Sequence, residues 1–165
     1  MTQVCLVGKE EVNLQYELFS RETARDALTA YDLRKPFENT LAVETVSLGG
    51  AVALLNDLDW YLVRFVQDAF IREPSVSEDE WLSRGLATRI RNNEIKSEET
   101  GRFLRVYGIE AGTENDADES DEGGDCSRLV EPMLVARTGE RIPEYDLRDV
   151  EETLVVRLTE SEFDA

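Results

Sequence analysis

Residues 60–73 read WYLVRFVQDAFIRE, and their assignment decides the fold. They can extend a sheet or add a buried helix against it. Aromatic and β-branched residues fill the stretch, which favours extended structure, as one strand or two short ones. A buried helix is the competing assignment.

The flanks supply the rest of the sheet. LAVETVSL (41–48) alternates and predicts a strand, and GGAVALLNDL (49–58) a short helix opened by glycines. QVCLVG (3–8) is an apolar run ending in Gly and reads as a buried strand. EVNLQYELF (11–19) fits either state. SRETARDALTAY (20–31) predicts a helix with Ser20 as N-cap and Ala24, Ala27, Leu28 and Tyr31 at helical spacing. The clearest helix is SEDEWLSRGLATRIR (77–91). Ser77 and Glu80 form a capping-box pair, acids fill the first turn and arginines the last. Leu82, Leu86 and Ile90, beside Trp81, give its core stripe. SEET (97–100) starts another turn or short helix, and RFLRVYGI (102–109) reads as a strand. LVEPMLVAR (129–137), a turn at 138–140 and ERIPEY (140–145) suggest a hairpin with Pro143 near an edge. ETLVVRLT (152–159) is a final strand. No regular βαβ period appears. The expectation is a single α+β domain over 1–165 with a mixed, mainly antiparallel sheet and about three helices.

Charge sets the setting. The chain has 36 acidic and 18 basic residues, a net charge of −18. Fifteen bases are Arg, and only Lys9, Lys35 and Lys96 are Lys. Such a charge repels itself in dilute buffer, whereas at molar salt the Debye length is ~3 Å and the repulsion is screened. The composition suits a salt-loaded cytoplasm. No apolar run approaches the ~18 residues of a membrane span, and MTQVCLVGKE lacks the basic region of a signal peptide. The expected location is cytoplasmic.

The chain has no His, which removes the commonest general base and metal ligand. Its two cysteines, Cys5 and Cys126, cannot complete a four-ligand zinc site in one chain. Cys5 lies in an apolar run, and a Cys5–Cys126 disulfide is disfavoured in a reducing compartment. GTENDADESDEGGDC (112–126) holds seven acids and no base. Read as a calcium loop from Asp116 it lacks both the Gly at position 6 and the Glu at position 12, and from Asp118 it lacks the Glu. With so few apolar residues it reads as an acidic, disordered insertion at about 110–127.

Other motifs are weak. Gly8-Lys9 lacks the upstream Gly of a phosphate loop, and Gly49-Gly50 lacks the dinucleotide pattern G-x-G-x-x-G. No cofactor or metal set is expected. Asp57 and Asp59, with Glu44, offer a low-ranked carboxylate site for acid/base or Mg²⁺ chemistry; solvated acids are the ordinary alternative. Arg84, Arg89, Arg91, Lys96, Arg102 and Arg105 stand against Glu94, Glu98 and Glu99, a local +3. With Phe103 and Tyr107 this island can contact an anionic partner, including RNA or DNA. Its ordinary role is to satisfy a helix C-terminus and pair with surplus carboxylates.

VCLVG, YELFSRETARDAL, VETVSLGGAVALLNDLDWYLVRFV and REPSVSEDEW together resemble an uncharacterised haloarchaeal protein family, a domain of unknown function. The resemblance covers most of residues 3–108. It implies the saline habitat and carries no activity or site residue. The preferred functional reading is therefore a non-catalytic interaction or regulatory module with a protein partner. A nucleic-acid binder using the Arg84–Arg105 island and a carboxylate-based, Mg-dependent enzyme are the alternatives.

Overall fold

The computed structural model describes residues 2–29, 31–110, 127–137 and 152–164. The acidic stretch 112–126, with Cys126, and the turn and second strand (138–145) of the expected hairpin lie outside the described residues.

Among the described residues, seven strands form one mixed sheet: β1 (Thr2–Gly8), β2 (Thr40–Thr45), β3 (Val66–Arg72), β4 (Trp81–Ser83), β5 (Phe103–Glu110), β6 (Arg128–Ala136) and β7 (Glu152–Leu158). Their order is β2-β1-β3-β4-β7-β5-β6. Only β4 and β7 pair in parallel; all other neighbours are antiparallel. The helices are α1 (Leu14–Phe19), α2 (Glu22–Leu28), α3 (Leu48–Asp57), α4 (Asp59–Phe65), α5 (Arg84–Arg91) and α6 (Glu160–Asp164), with a 3-10 turn at Ser97–Glu99. The α+β class and the mainly antiparallel sheet agree with the sequence reading. The helices number six among the described residues, not about three, because several are single or double turns.

The stretch 60–73 is neither wholly extended nor wholly helical. Residues up to Phe65 form α4 and the sheet begins at Val66. Buried Leu58 and Leu62 are one helical turn apart and set the 3.6 period. From Val66 the period becomes two: Ala69 and Ile71 face the helices, Asp68 and Phe70 the opposite side.

The helix expected at 77–91 also divides. Trp81–Ser83 joins the sheet, and Ser83 caps α5 by accepting from the Leu86 amide at 3.1 Å. Ser77 accepts from the Glu80 amide without starting a helix. Ser20 ends α1 instead of capping α2. Among the described residues, β5 pairs with β6 on one side and β7 on the other. Pro132 lies in edge strand β6, where the register slips opposite Tyr107 and a ladder amide is least needed.

The main core lies between one sheet face and α1–α5, built from Val4, Leu6, Leu41, Val43, Ile71 and Leu82 against Leu14, Leu18, Leu55, Leu58 and Leu86. The other face curls inward. Three strand spacings would separate flat β3 from β5 by about 14 Å, yet side chains of Asp68 and Tyr107 meet at 2.7 Å across β4 and β7. Short β4 permits this closure. The segment before β2 runs along its free edge: Arg34 and Ala42 exchange backbone hydrogen bonds at 2.9 and 2.8 Å. Glu38 then donates its amide to the Ser127 carbonyl at 2.7 Å, just before β6, linking the two ends of the sheet.

Candidate functional site

Inside the curl, β3 supplies Asp68 and β5 supplies Arg105 and Tyr107. Arg105 Nη1 and the Tyr107 hydroxyl both donate to Asp68 Oδ2, at 2.8 and 2.7 Å. Phe70 packs on Tyr107, and Cys5 is fully buried in the same cluster. Burial first, and the Asp68 charge second, push the Cys5 thiol up to about 12. The same two causes raise the Tyr107 phenol. Burial works against the Arg105 charge, but Asp68 outweighs it and raises the guanidinium further. A thiol and a phenol held protonated do not exchange protons near neutrality, so they are poor acid/base groups. Their arrangement ties β3 to β5.

A second network lies at Glu80. Its carboxylate accepts from Arg137 Nη2 at 2.6 and 2.7 Å and from Arg157 Nε at 2.7 Å. Burial alone would raise Glu80, but these hydrogen bonds and charges hold it below its ordinary value. Arg157 also donates to Thr100, beside Gly101 at φ +100°. The capping-box reading of Glu80 concealed this role.

The sequence-derived island does not share one face. Arg84 pairs with Asp59 at 2.8 Å and reaches Asn56, tying α5 to the α3–α4 junction. Arg105 and Tyr107 are engaged inside the curl. Phe103 is half-buried against Phe163, with the exposed Arg102 guanidinium 5.4 Å from its ring. Arg89 is half-buried on α5, while Arg91 is exposed near Gly49. Exposed Lys96 lines an open groove of about 660 Å³ with Ser47, Leu48, Glu73 and Ile90. The carboxylates are likewise apart. Glu44 accepts from Gln3 at 3.3 Å on the curled face, whereas Asp57 and Asp59 lie in the helical layer. No group of three potential metal ligands occurs among the described residues. Gly8 is where an added Cβ would lie 2.6 Å from Asn39 Nδ2, so it serves close packing.

The surface that the sequence reading missed is the flank of α1 and α4. Tyr16 is 65% exposed, Val63 64% and Trp60 47%. Trp60, Val63 and Arg64 share the outer side of α4 at positions i, i+3 and i+4. The Arg64 guanidinium lies 3.8 Å from the Trp60 ring centroid, and that of Arg21 lies 5.5 Å from it and 5.1 Å from Phe65. Lys9 donates to the Val63 carbonyl at 3.1 Å. Neither Lys9 nor Arg64 has a carboxylate within 4.0 Å among the described residues. The pattern W-x-x-V-R was the available signal, but it appears only when residues 60–65 are read with a helical period.

Among the described residues, no helix is long and apolar enough to cross a membrane. No curated protein and no solved structure matches this chain. One family model does match, over residues 2–109, a span from β1 into β5. The chain thus belongs to DUF5804, a family of unknown function.

Proposed function

We propose that this protein is a non-catalytic interaction module of a salt-loaded cytoplasm and that the α1–α4 flank is its contact surface. One observation carries the reading: Trp60 and Val63 are exposed beside Arg64 and Lys9, with Tyr16 exposed on α1, in a chain with twice as many acids as bases. Aromatic and Arg side chains dominate binding hot spots, because they bury large areas and keep a polar handle. The buried titratable groups support the same reading, since they are consumed in structural ties. A nucleic-acid surface on the Arg84–Arg105 segment draws support only from Arg91, Lys96 and Arg102, which are exposed.

The test is affinity capture in molar KCl, comparing the wild-type chain with a Trp60→Ala/Val63→Ser variant. Co-eluting proteins are identified by mass spectrometry and RNA by sequencing. A specific partner lost from the variant supports the flank as the contact surface. A captured set that is the same for both chains overturns it.

A further inference from the structure

We propose that the α1–α4 flank docks an acidic peptide segment of a partner protein. An apolar side chain of that segment packs against Trp60 and Val63, and its carboxylates engage Arg21 and Arg64. The proposal rests on the interaction-module reading and names the partner's chemistry.

Charge and geometry both argue for it. A guanidinium stacked on an indole keeps its in-plane N–H donors directed outward, where a carboxylate meets them in pairs. Among the described residues Arg64 donates one hydrogen bond, to the Trp60 carbonyl at 3.0 Å, which leaves further donors available. Among the described residues Arg21 pairs with Glu17 at 3.5 Å, and its buried Nε makes no hydrogen bond. Lys9 adds a third cation at the C-terminal end of α4, beside Val63.

Three alternatives fit less well. A nucleobase needs an open aromatic face, and Arg64 already lies 3.8 Å from the Trp60 centroid. Phosphate-backbone affinity grows with the number of cations engaged, and the patch offers Lys9, Arg21 and Arg64 on a chain of net charge −18. A second copy docked by the same patch would set these cations against their own equivalents, because a two-fold contact is self-complementary. Val63 meanwhile offers apolar area that a protein segment can bury and a nucleotide cannot use.

The experiment is display selection of random 16-residue peptides on the immobilised full chain in molar KCl. Selected peptides and a 12-residue oligo-uridine are then titrated by fluorescence anisotropy. We expect selected peptides rich in Asp and Glu beside Leu, Phe or Trp. Their affinity should fall roughly tenfold or more for Arg21→Gln/Arg64→Gln, and severalfold for Arg64→Gln alone. Replacing their acids with amides should weaken binding similarly. Circular dichroism confirms that the variants are folded, and exposed Arg64 gives a single variant that leaves α2 intact. Selection of no peptides, of peptides without acidic excess, or of peptides indifferent to the arginine variants overturns the proposal. So does Arg64-dependent binding of oligo-uridine alone. If peptide selection fails while native capture still depends on Trp60 and Val63, the acidic-peptide class falls and the interaction-module reading stands.

Discussion

Arg105 and Arg64 carry the same guanidinium into opposite settings. Arg105 points into the curled face of the sheet and meets Asp68 at 2.8 Å. Arg64 lies on the outside of α4 with an indole beneath it and no carboxylate within 4.0 Å among the described residues. The interior arginine belongs to a network whose donors have an acceptor, so disturbing it should damage the fold. The exterior one stabilises little and remains available. The difference separates residues that hold the sheet from residues free to bind, in a chain whose composition alone makes every arginine look alike.

The severest way to break this comparison is to remove the neighbours of β5. Both of them, β6 and β7, lie beyond the family-matched span 2–109. A chain ending at Glu110 should therefore fail to build the Asp68–Arg105–Tyr107 network. We expect loss of cooperative unfolding by circular dichroism; a cooperative transition like that of the full chain would show that β5 does not need them.

Next in size is Asp68→Ala. It leaves the Arg105 guanidinium and the Tyr107 hydroxyl without their acceptor, at a cost of about 3 kcal/mol in chemical denaturation. Adding Arg105→Met and Tyr107→Phe should recover much of that loss, because the stranded donors are then gone. No recovery would mean that Asp68 acts through something other than these two partners.

The pH dependence of the interior follows from Cys5. Its folded value of about 12 lies above the ordinary 9.0, so the native state keeps the proton longer than the unfolded chain. The associated stability is present below about pH 9 and is lost as pH rises towards 12. In a Cys126→Ser background, native Cys5 should resist iodoacetamide at pH 8 and react fully once unfolded. Rapid native labelling would show that the curl opens.

At the exterior, Arg64→Gln should change stability by no more than about 0.5 kcal/mol while weakening partner capture. A large loss of stability would erase the contrast with Arg105. Smallest of all should be the effect of replacing residues 112–126 with a short Gly/Ser turn. Glu110 and Arg128 at the ends of β5 and β6 are cross-strand partners joined by an ion pair at 2.6 Å, so a short connection can bridge them. The replacement removes seven acids, taking the net charge from −18 to −11, and should lower the salt concentration needed for folding. Collapse of the fold in molar KCl would assign that stretch a structural role.

Much of the sheet was legible because β1, β2, β5 and β7 each carry an apolar run or an alternation. The misread places are those where one apolar run serves two periods. Leu58 caps α4 and Leu62 lies in it, whereas Phe70 and Ile71 lie in a strand, and no Gly or Pro marks the change at Val66. At 77–91, Leu82, Leu86 and Ile90 do line one core, but the first contributes from β4 and the others from α5. Helical spacing cannot distinguish that from one longer helix. The pairing of Asp68 with Arg105 was hidden for a different reason: it depends on the curl of the sheet across two intervening strands, which no local pattern encodes. Trp60, Val63 and Arg64 were legible in principle and obscured only by the period assigned to them.

The strap from Arg34 to Glu38 has a consequence beyond closing the sheet. A bare edge strand offers unpaired amides and carbonyls on which another chain can polymerise. Here Arg34 occupies part of the β2 edge, Glu38 bonds the approach to β6, and Pro132 removes an amide from β6 itself. Electrostatic repulsion between copies fades as salt rises, but hydrogen bonds already made within the chain do not. Such backbone bonds would blunt these edges against fibrous self-association at any salt concentration, including those at which charge repulsion is screened.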